Sequence, residues 1–393
     1  MSATAKLGSS AAVRAAREAL TGREAWIVGG AVRDALLDRE VVDLDLAVPE
    51  DQEGAARAIA KATGGPAFEL SAEFGTWRAL SADRTWHVDV TRLRADSIEG
   101  DLVQRDFTAN AIAVPLAPGD AEPIDPTGGR ADVEARVLRA ASAASFADDP
   151  LRILRAARLG AELGFELESG TVALARAEAG RAGEPAGERQ LAELRLLIGG
   201  PDPVRGLELL DELGATEGVL PELAALRGVG QNRNHHLDVH GHTIEVLRQL
   251  LEVEADLERF AGDAAADVEA LLAEPLADDL TRGDALRFAA ILHDIGKPAT
   301  RAEHEGGLVS FIGHDEVGAG LVREACKRLK ASRALSRHLE ALTLHHLHLG
   351  FMVHERPLTR RRVYDYLKLC EPVAADVTLL TVADRLSARG GGP

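Results

Sequence analysis

The chain has 393 residues, 46% of them hydrophobic, a formal net charge of -18 and two cysteines, Cys326 and Cys370. Its length exceeds one growing core and predicts two or three domains, while its acidity excludes broad, non-specific nucleic-acid binding but leaves room for a local basic groove. Two cysteines are too few for a disulfide framework or a thiolate zinc site, so any metal is expected on oxygen and imidazole.

In chain order, residues 1–22 read as a lead-in helix, and no signal peptide or membrane span is recognised, which predicts a cytoplasmic protein. WIVGG (26–30) reads as a strand entering a glycine turn, AVRDALLD (31–38) as a helix and VVDLDLAV (41–48) as an alternating strand. After a helix over about 50–62, FELSAEFGTWRAL and TWHVDVTRLR read as strands and DLVQRDFTANAIAV (101–114) as a helix. Past the turn-rich APGDAEPIDPTGG nearly everything reads as helix, including ADVEARVLRA and FADDPLRILRAARLGAELGF, where Leu151, Leu154, Ala157 and Ala161 form one apolar stripe. Glycine and proline at 180–187 and 199–203 mark helix ends, and a His-rich segment near 235 opens a further helical unit. Residues 253–280 read as an exposed hairpin of helices, the final RGGGP as a frayed end, and no internal repeat is found. The fold class is therefore α+β: a small mixed sheet in a head over 1–139, a helical neck and body over 140–228, and a helical domain over 229–393.

Asp43 and Asp45 stand one residue apart on a predicted strand, so both carboxylates share a face about 7 Å apart along it. Two such anions repel unless cations sit between them, and two-metal phosphoryl-transfer sites use this arrangement. Asp89, on another predicted strand, can reach the same face. Gly29 and Gly30 let backbone amides approach a triphosphate at a helix start. Taken singly, D-x-D is more often a solvated strand face and GG a dihedral requirement; only the context raises them above that.

That context is a series of motifs in order: GGAVRD, DLDLA, QRDFTANAIAV, IDPTGGRADVEARVLRA and FADDPLRILRAARLGAELGF. The series resembles the class II tRNA nucleotidyltransferase and bacterial poly(A) polymerase family. ERQLAELRLLIGGPDPVRGLELLDELG and VLPEL extend the resemblance to roughly the first 225 residues. It implies that Asp43 and Asp45 bind catalytic Mg2+, with Asp89 as the third acidic position. Gly29, Gly30 and Arg33 would hold the triphosphate, with Asp34 structuring the turn. Arg105, Asp106 and Asn110 would support the nucleotide's sugar and phosphates, although Gln104 replaces the first arginine of that motif. Asp149 and Arg152 would pair with incoming cytosine or adenine, with Asp148 standing where the family has glutamate. By ordinary rules Asp149 is also an N-cap ahead of Pro150. Arg152, Arg155 and Arg158 fall at three-residue steps, read as a basic ridge of candidate nucleotide-binding residues, with ordinary surface arginines as the alternative for Arg155 and Arg158.

Farther on, HHLDVHGHTIEVL, LRFAAILHDIGKPAT and LLTVADRLSA resemble the HD metal-dependent phosphohydrolase superfamily, with His242, His293, Asp294 and Asp384 as ligands of a divalent metal. His314 and His345 lie where some members of that superfamily hold a second ion. His236, His240 and His348 are expected in surface or packing roles. The cluster Arg356, Arg360, Arg361 and Arg362 reads either as an RNA-backbone contact or as a solvated helix start capped by Thr359.

The resulting expectation is a template-independent enzyme that adds CCA, from CTP and ATP, to the 3′ end of tRNA by two-metal phosphoryl transfer, with no protein partner implied. Within the class, the alternatives are a poly(A) polymerase or a CC-only or A-only enzyme. From another class, the alternative is an HD phosphohydrolase with a nucleotide-binding head.

Overall fold

Along the second strand Leu44 and Leu46 are buried while Asp45 between them is exposed, and along a later one Val88 and Val90 are buried to either side of Asp89. This alternation gives the sheet one packed face and one face that carries charge. The computed structural model describes residues 3–71, 75–119, 122–231, 237–352, 354–355 and 357–388. The sheet comprises β1 (Trp26–Val28), β2 (Leu44–Val48), β3 (Ala67–Ser71), β4 (Thr76–Leu80), β5 (His87–Arg92) and β6 (Ala113–Pro115), ordered β3-β4-β5-β2-β1-β6. Only β2 and β5 run parallel; the other neighbours are antiparallel, so the sheet is mixed as expected. Helix Gln52–Thr63 packs on β4 and β5 through Ala55, Ala56, Ile59 and Ala60. Val28, Ala47, Ile98, Leu102, Ala111 and Ala113 form a core cluster around β1 and β6.

The chain divides into two compact units: Met1–Arg152 with Leu163–Ala177, and Ile153–Glu162 with Glu178–Pro393. In the second, helices Val239–Ala255, Arg282–Leu292, His314–Arg328, Arg333–His345 and Ala374–Ser387 pack into one bundle. Helices Leu257–Ala261 and Ala265–Leu272 bury no residue, in keeping with the expected exposed hairpin. Among the described residues no helix is long and apolar enough to cross a membrane.

Several local expectations change. The lead-in segment forms two helices, Ala3–Ser9 and Ala11–Ala19, and β2 begins only at Leu44, leaving Asp43 just ahead of it. DLVQRDFTANAIAV is no helix: it leaves helix Ile98–Leu102, passes a short 3-10 turn at Thr108–Asn110 and enters β6. The reason is local competition, since the Asp106 carboxylate accepts from the Phe107 backbone N–H at 2.8 Å and from the Asn110 amide at 3.2 Å. ADVEARVLRA likewise ends in a two-residue strand, Val137–Leu138. His236, Arg356 and the final RGGGP lie outside the described residues.

Candidate active site and metal centre

Strand β1 ends at Val28, and the chain turns on Gly29 with a φ of 71° before helix Gly30–Leu36. A Cβ at Gly29 would stand 3.0 Å from Asp45 Oδ2 and 3.5 Å from Arg105 Nη1, so glycine is what lets this turn, the carboxylate and the guanidinium meet. Arg33 is buried, with Nη1 donating to Asn110 Oδ1 at 2.8 Å and Nε to Asp34 Oδ1 at 3.0 Å. The Asn110 amide donates on to Asp106. The glycine turn and the QRDFTAN segment thus form one hydrogen-bonded assembly. Asp101, which the sequence reading missed, anchors it: its Oδ2 accepts from Arg105 Nε at 3.0 Å and its Oδ1 from the Arg94 backbone N–H at 3.0 Å.

Parallel pairing of β2 with β5 sets Asp45 beside Asp89, and antiparallel pairing of β4 with β5 sets Arg78 on the far side of Asp89. The register therefore sets Asp45 and Asp89 side by side, Asp43 just ahead of β2 is linked to Asp89 through His87, and two of the three expected carboxylates are already engaged. Asp43 Oδ1 accepts from the His87 backbone N–H at 3.1 Å and lies 2.7 Å from His87 Nδ1. Asp89 is held by a two-pronged bridge, Arg78 Nε to Oδ1 and Nη2 to Oδ2, each 2.7 Å. Asp45 has no hydrogen-bond or ion-pair partner among the described residues. Its tip is open to solvent in a recess crowded by protein; that crowding, and then the Asp89 charge, push its carboxyl up to about 6. Desolvation raises Asp43 as well, but the His87 hydrogen bonds outweigh it and hold that carboxyl below the usual range. The bridge to Asp89 likewise raises Arg78. The sequence reading also missed Arg78 and His87. His87 could have been found by the i, i+2 logic that paired Asp43 with Asp45; Arg78 depends on strand register.

Asp149 caps the following helix, its Oδ1 accepting from the Leu151 backbone N–H at 3.2 Å. Arg152 is buried, and its guanidinium donates to the carbonyls of Gln104 at 2.9 Å, Arg105 at 3.2 Å and Ser145 at 3.2 Å. This clamp fixes the plane of the fork. Arg155 and Arg158 do not form an outward ridge. Both converge on buried Glu193, Arg155 Nε on Oε1 at 2.9 Å and Arg158 Nε on Oε2 at 2.6 Å. Desolvation raises the Glu193 carboxyl, but its two guanidinium partners outweigh this and keep it low.

In the second unit, His242, His293 and Asp294 form one buried group of potential ligand atoms, and Asp294, His314 and His346 form another, each within 4.8 Å. Asp294 links them: Oδ2 lies 3.1 Å from His293 Nε2 and 3.6 Å from His242 Nε2, while Oδ1 lies 3.3 Å from His314 Nε2 and 3.8 Å from His346 Nε2. Asp384 Oδ1 lies 3.0 Å from His242 Nε2. In each of the four histidines Nδ1 already faces an oxygen: Ser387 Oγ at 3.1 Å, Ala290 O at 2.8 Å, Phe311 O at 2.7 Å and Thr343 O at 2.6 Å. Those contacts leave four Nε2 atoms converging on one carboxylate, the donor set and outer shell that suit a divalent cation. His293 Nε2 and Asp294 Oδ2 are buried without hydrogen-bond geometry, as expected of atoms built for a cation. Lys297 Nζ lies 2.6 Å from Asp294 Oδ2 and supplies positive charge there. Burial raises Asp294, yet His293 and Lys297 drive it well below the carboxylate range; burial also raises Asp384, which His242 and His293 bring down to about 2.

The second-ion expectation needs one correction, because the histidine in this centre is His346 and not His345. His345 is half-buried and packs against His348, with ring centroids 5.2 Å apart. Helix phase explains the difference. His346 continues the buried stripe of Leu335, Leu339, Leu342 and Thr343, whereas His345 falls to its side. His240 is half-buried with Nε2 3.7 Å from Asp211 Oδ2, and Thr359 does cap helix Arg360–Leu369.

Sequence models of three families match this chain: the poly A polymerase head domain over residues 25–139, a probable RNA- and SrmB-binding site of polymerase A over 164–226, and the HD domain over 239–389. The A-adding tRNA nucleotidyltransferase of Deinococcus radiodurans is 39% identical across 93% of this chain and 77% of its own length. The CC-adding tRNA nucleotidyltransferase of Thermus thermophilus is 34% identical across 94% and 78%. The Thermotoga maritima CCA-adding enzyme, solved in complex with tRNA, superposes on 95% of this chain and 77% of that one with a TM-score of 0.62 at 21% identity, which shows a shared fold. From these likenesses, the chain belongs to the tRNA nucleotidyltransferase family that carries the poly(A) polymerase head, and it is a nucleotidyltransferase.

Proposed function

We propose that the chain adds CCA to the 3′ end of tRNA from CTP and ATP. The observation that carries this reading is the meeting of Asp45, Arg105 and the Gly29 turn, with Asp89 beside Asp45 in register and the Arg33–Asn110–Asp106 assembly continuing from the turn. In this reading Gly29, Gly30, Arg33 and Arg105 hold the triphosphate. Asp43 and Asp45 supply oxygen ligands for Mg2+, hard donors that fit this ion. Bound there, the metal would polarise the attacking 3′-hydroxyl and neutralise charge on the departing pyrophosphate. Asp89 holds the edge of the site. Asp149 accepts from the exocyclic amine of cytosine or adenine, and the clamped Arg152 presents its fork to the ring. Catalysis then rests on positioning and charge, with no protein nucleophile.

The same proposal places a catalytic head over residues 1–139, a nucleotide- and RNA-binding neck and body over 140–228, and a metal-binding HD domain over 229–393 in a cytoplasmic enzyme. His242, His293, Asp294 and Asp384 would hold one divalent ion, with Asp294 reaching toward His314 and His346 for a second. An ion there supports hydrolysis of phosphate esters.

A second reading, addition of the terminal A only, is favoured by the 39% identity to the A-adding relative. The test offers the enzyme two tRNAs, one lacking CCA and one ending in CC, with CTP and ATP singly and together, and sequences the products. CCA on the first substrate supports our reading, whereas A on the second alone supports the other. Asp43→Ala should lower addition at least about a thousandfold. Unchanged addition in that variant would overturn the assignment of the head.

A further inference from the structure

The carboxylate face of the sheet carries cations of its own. Asp43, Asp45 and Asp89 share it with Arg78 and Arg105, and His87 lies between Asp43 and Asp89, its Nδ1 2.7 Å from one and its Nε2 3.8 Å from the other. The partners are unequally shared. Both oxygens of Asp89 receive parallel N–H donors from the planar Arg78 fork at 2.7 Å, the geometry in which a guanidinium matches a carboxylate best. The pair is sheltered, with Asp89 at 15% and Arg78 at 27% side-chain exposure. Asp45, its neighbour in register on β2, has no partner at all among the described residues.

We propose that Arg78 is a built-in cation that stands at the third carboxylate in place of a second protein-held metal ion. The head then holds one divalent ion of its own, on Asp43 and Asp45, and Arg78 sets how tightly. Resting on the nucleotidyltransferase reading of the head, this inference adds a positioning residue to it. Removing the Arg78 charge would take away one of the two arginines that act on Asp45, leaving Arg105, and would release both Asp89 oxygens as ligands.

The test can be confined to the head because all three tryptophans, Trp26, Trp77 and Trp86, lie there, two of them adjacent in sequence to Arg78 and His87. Tb3+, a hard oxygen-seeking probe, is titrated into the full-length protein and read by tryptophan-sensitised luminescence, then displaced with Mg2+. Arg78→Met should bind the probe about tenfold more tightly than the wild type, Arg78→Lys should stay near the wild type, and Asp45→Asn should lose the signal. Arg78→Gln provides a second neutral variant, so a folding defect in one does not remove the test. A merely structural Arg78 would loosen the site and weaken binding. Equal or weaker binding in both neutral variants, with the signal still dependent on Asp45, overturns the inference and leaves the head reading standing. A signal indifferent to Asp45→Asn overturns the head reading, and the inference with it.

Discussion

Asp45→Asn should disable the head and stabilise it at the same time. A carboxyl raised to about 6 in the folded state is favourable there only when protonated. Its stabilising contribution is complete below the unfolded value of about 4 and is lost as pH rises through about 6. Asparagine imitates the protonated group at every pH and removes that loss. Full desolvation would make the difference about 3 kcal/mol, but the carboxylate tip is open to water, so screening reduces it to about 1 kcal/mol. For a unit of this size that corresponds to roughly 2–4 °C in the melting temperature. Thermal unfolding followed by tryptophan fluorescence, in chelator, isolates the head because every tryptophan lies within residues 26–86. The variant should melt higher near pH 8 and coincide with the wild type near pH 4, and excess Mg2+ should narrow the gap by stabilising the wild type alone. A variant less stable than the wild type at pH 8, or a gap independent of pH, would refute this account of Asp45.

Two further outcomes follow from other residues. His346→Ala should lower the metal bound by the second unit by about one equivalent per chain, measured by elemental analysis after reconstitution, while His345→Ala should leave it unchanged; the reverse pattern would refute the helix-phase argument. Glu193→Gln leaves two guanidinium groups without their buried anion and should cost roughly 3 kcal/mol in urea unfolding, and a loss below about 1 kcal/mol would mean that other partners suffice, such as Glu162, which already pairs with Arg158.

The spacing of residues along the chain determined which side chains share a face. D-x-D marked the carboxylates at the entry to β2, although only Asp45 lies on the strand and Asp43 stands just ahead of it, and glycine before a helix marked the Gly29 turn. An adjacent His and Asp on a helix, with a distant His and a distant Asp, marked the buried metal centre. These signals are local, because backbone geometry repeats every two residues in a strand and every three to four in a helix. Tertiary structure decided what each face meets. The register of β4 against β5 delivered Arg78 to Asp89, and core packing turned His346 inward and His345 aside. Glu193, far along the chain, drew in Arg155 and Arg158, and the Asp106 carboxylate competed QRDFTAN out of a helix. Each of these depends on which surfaces collapse together, and a period read along one segment carries no record of the segment packed against it.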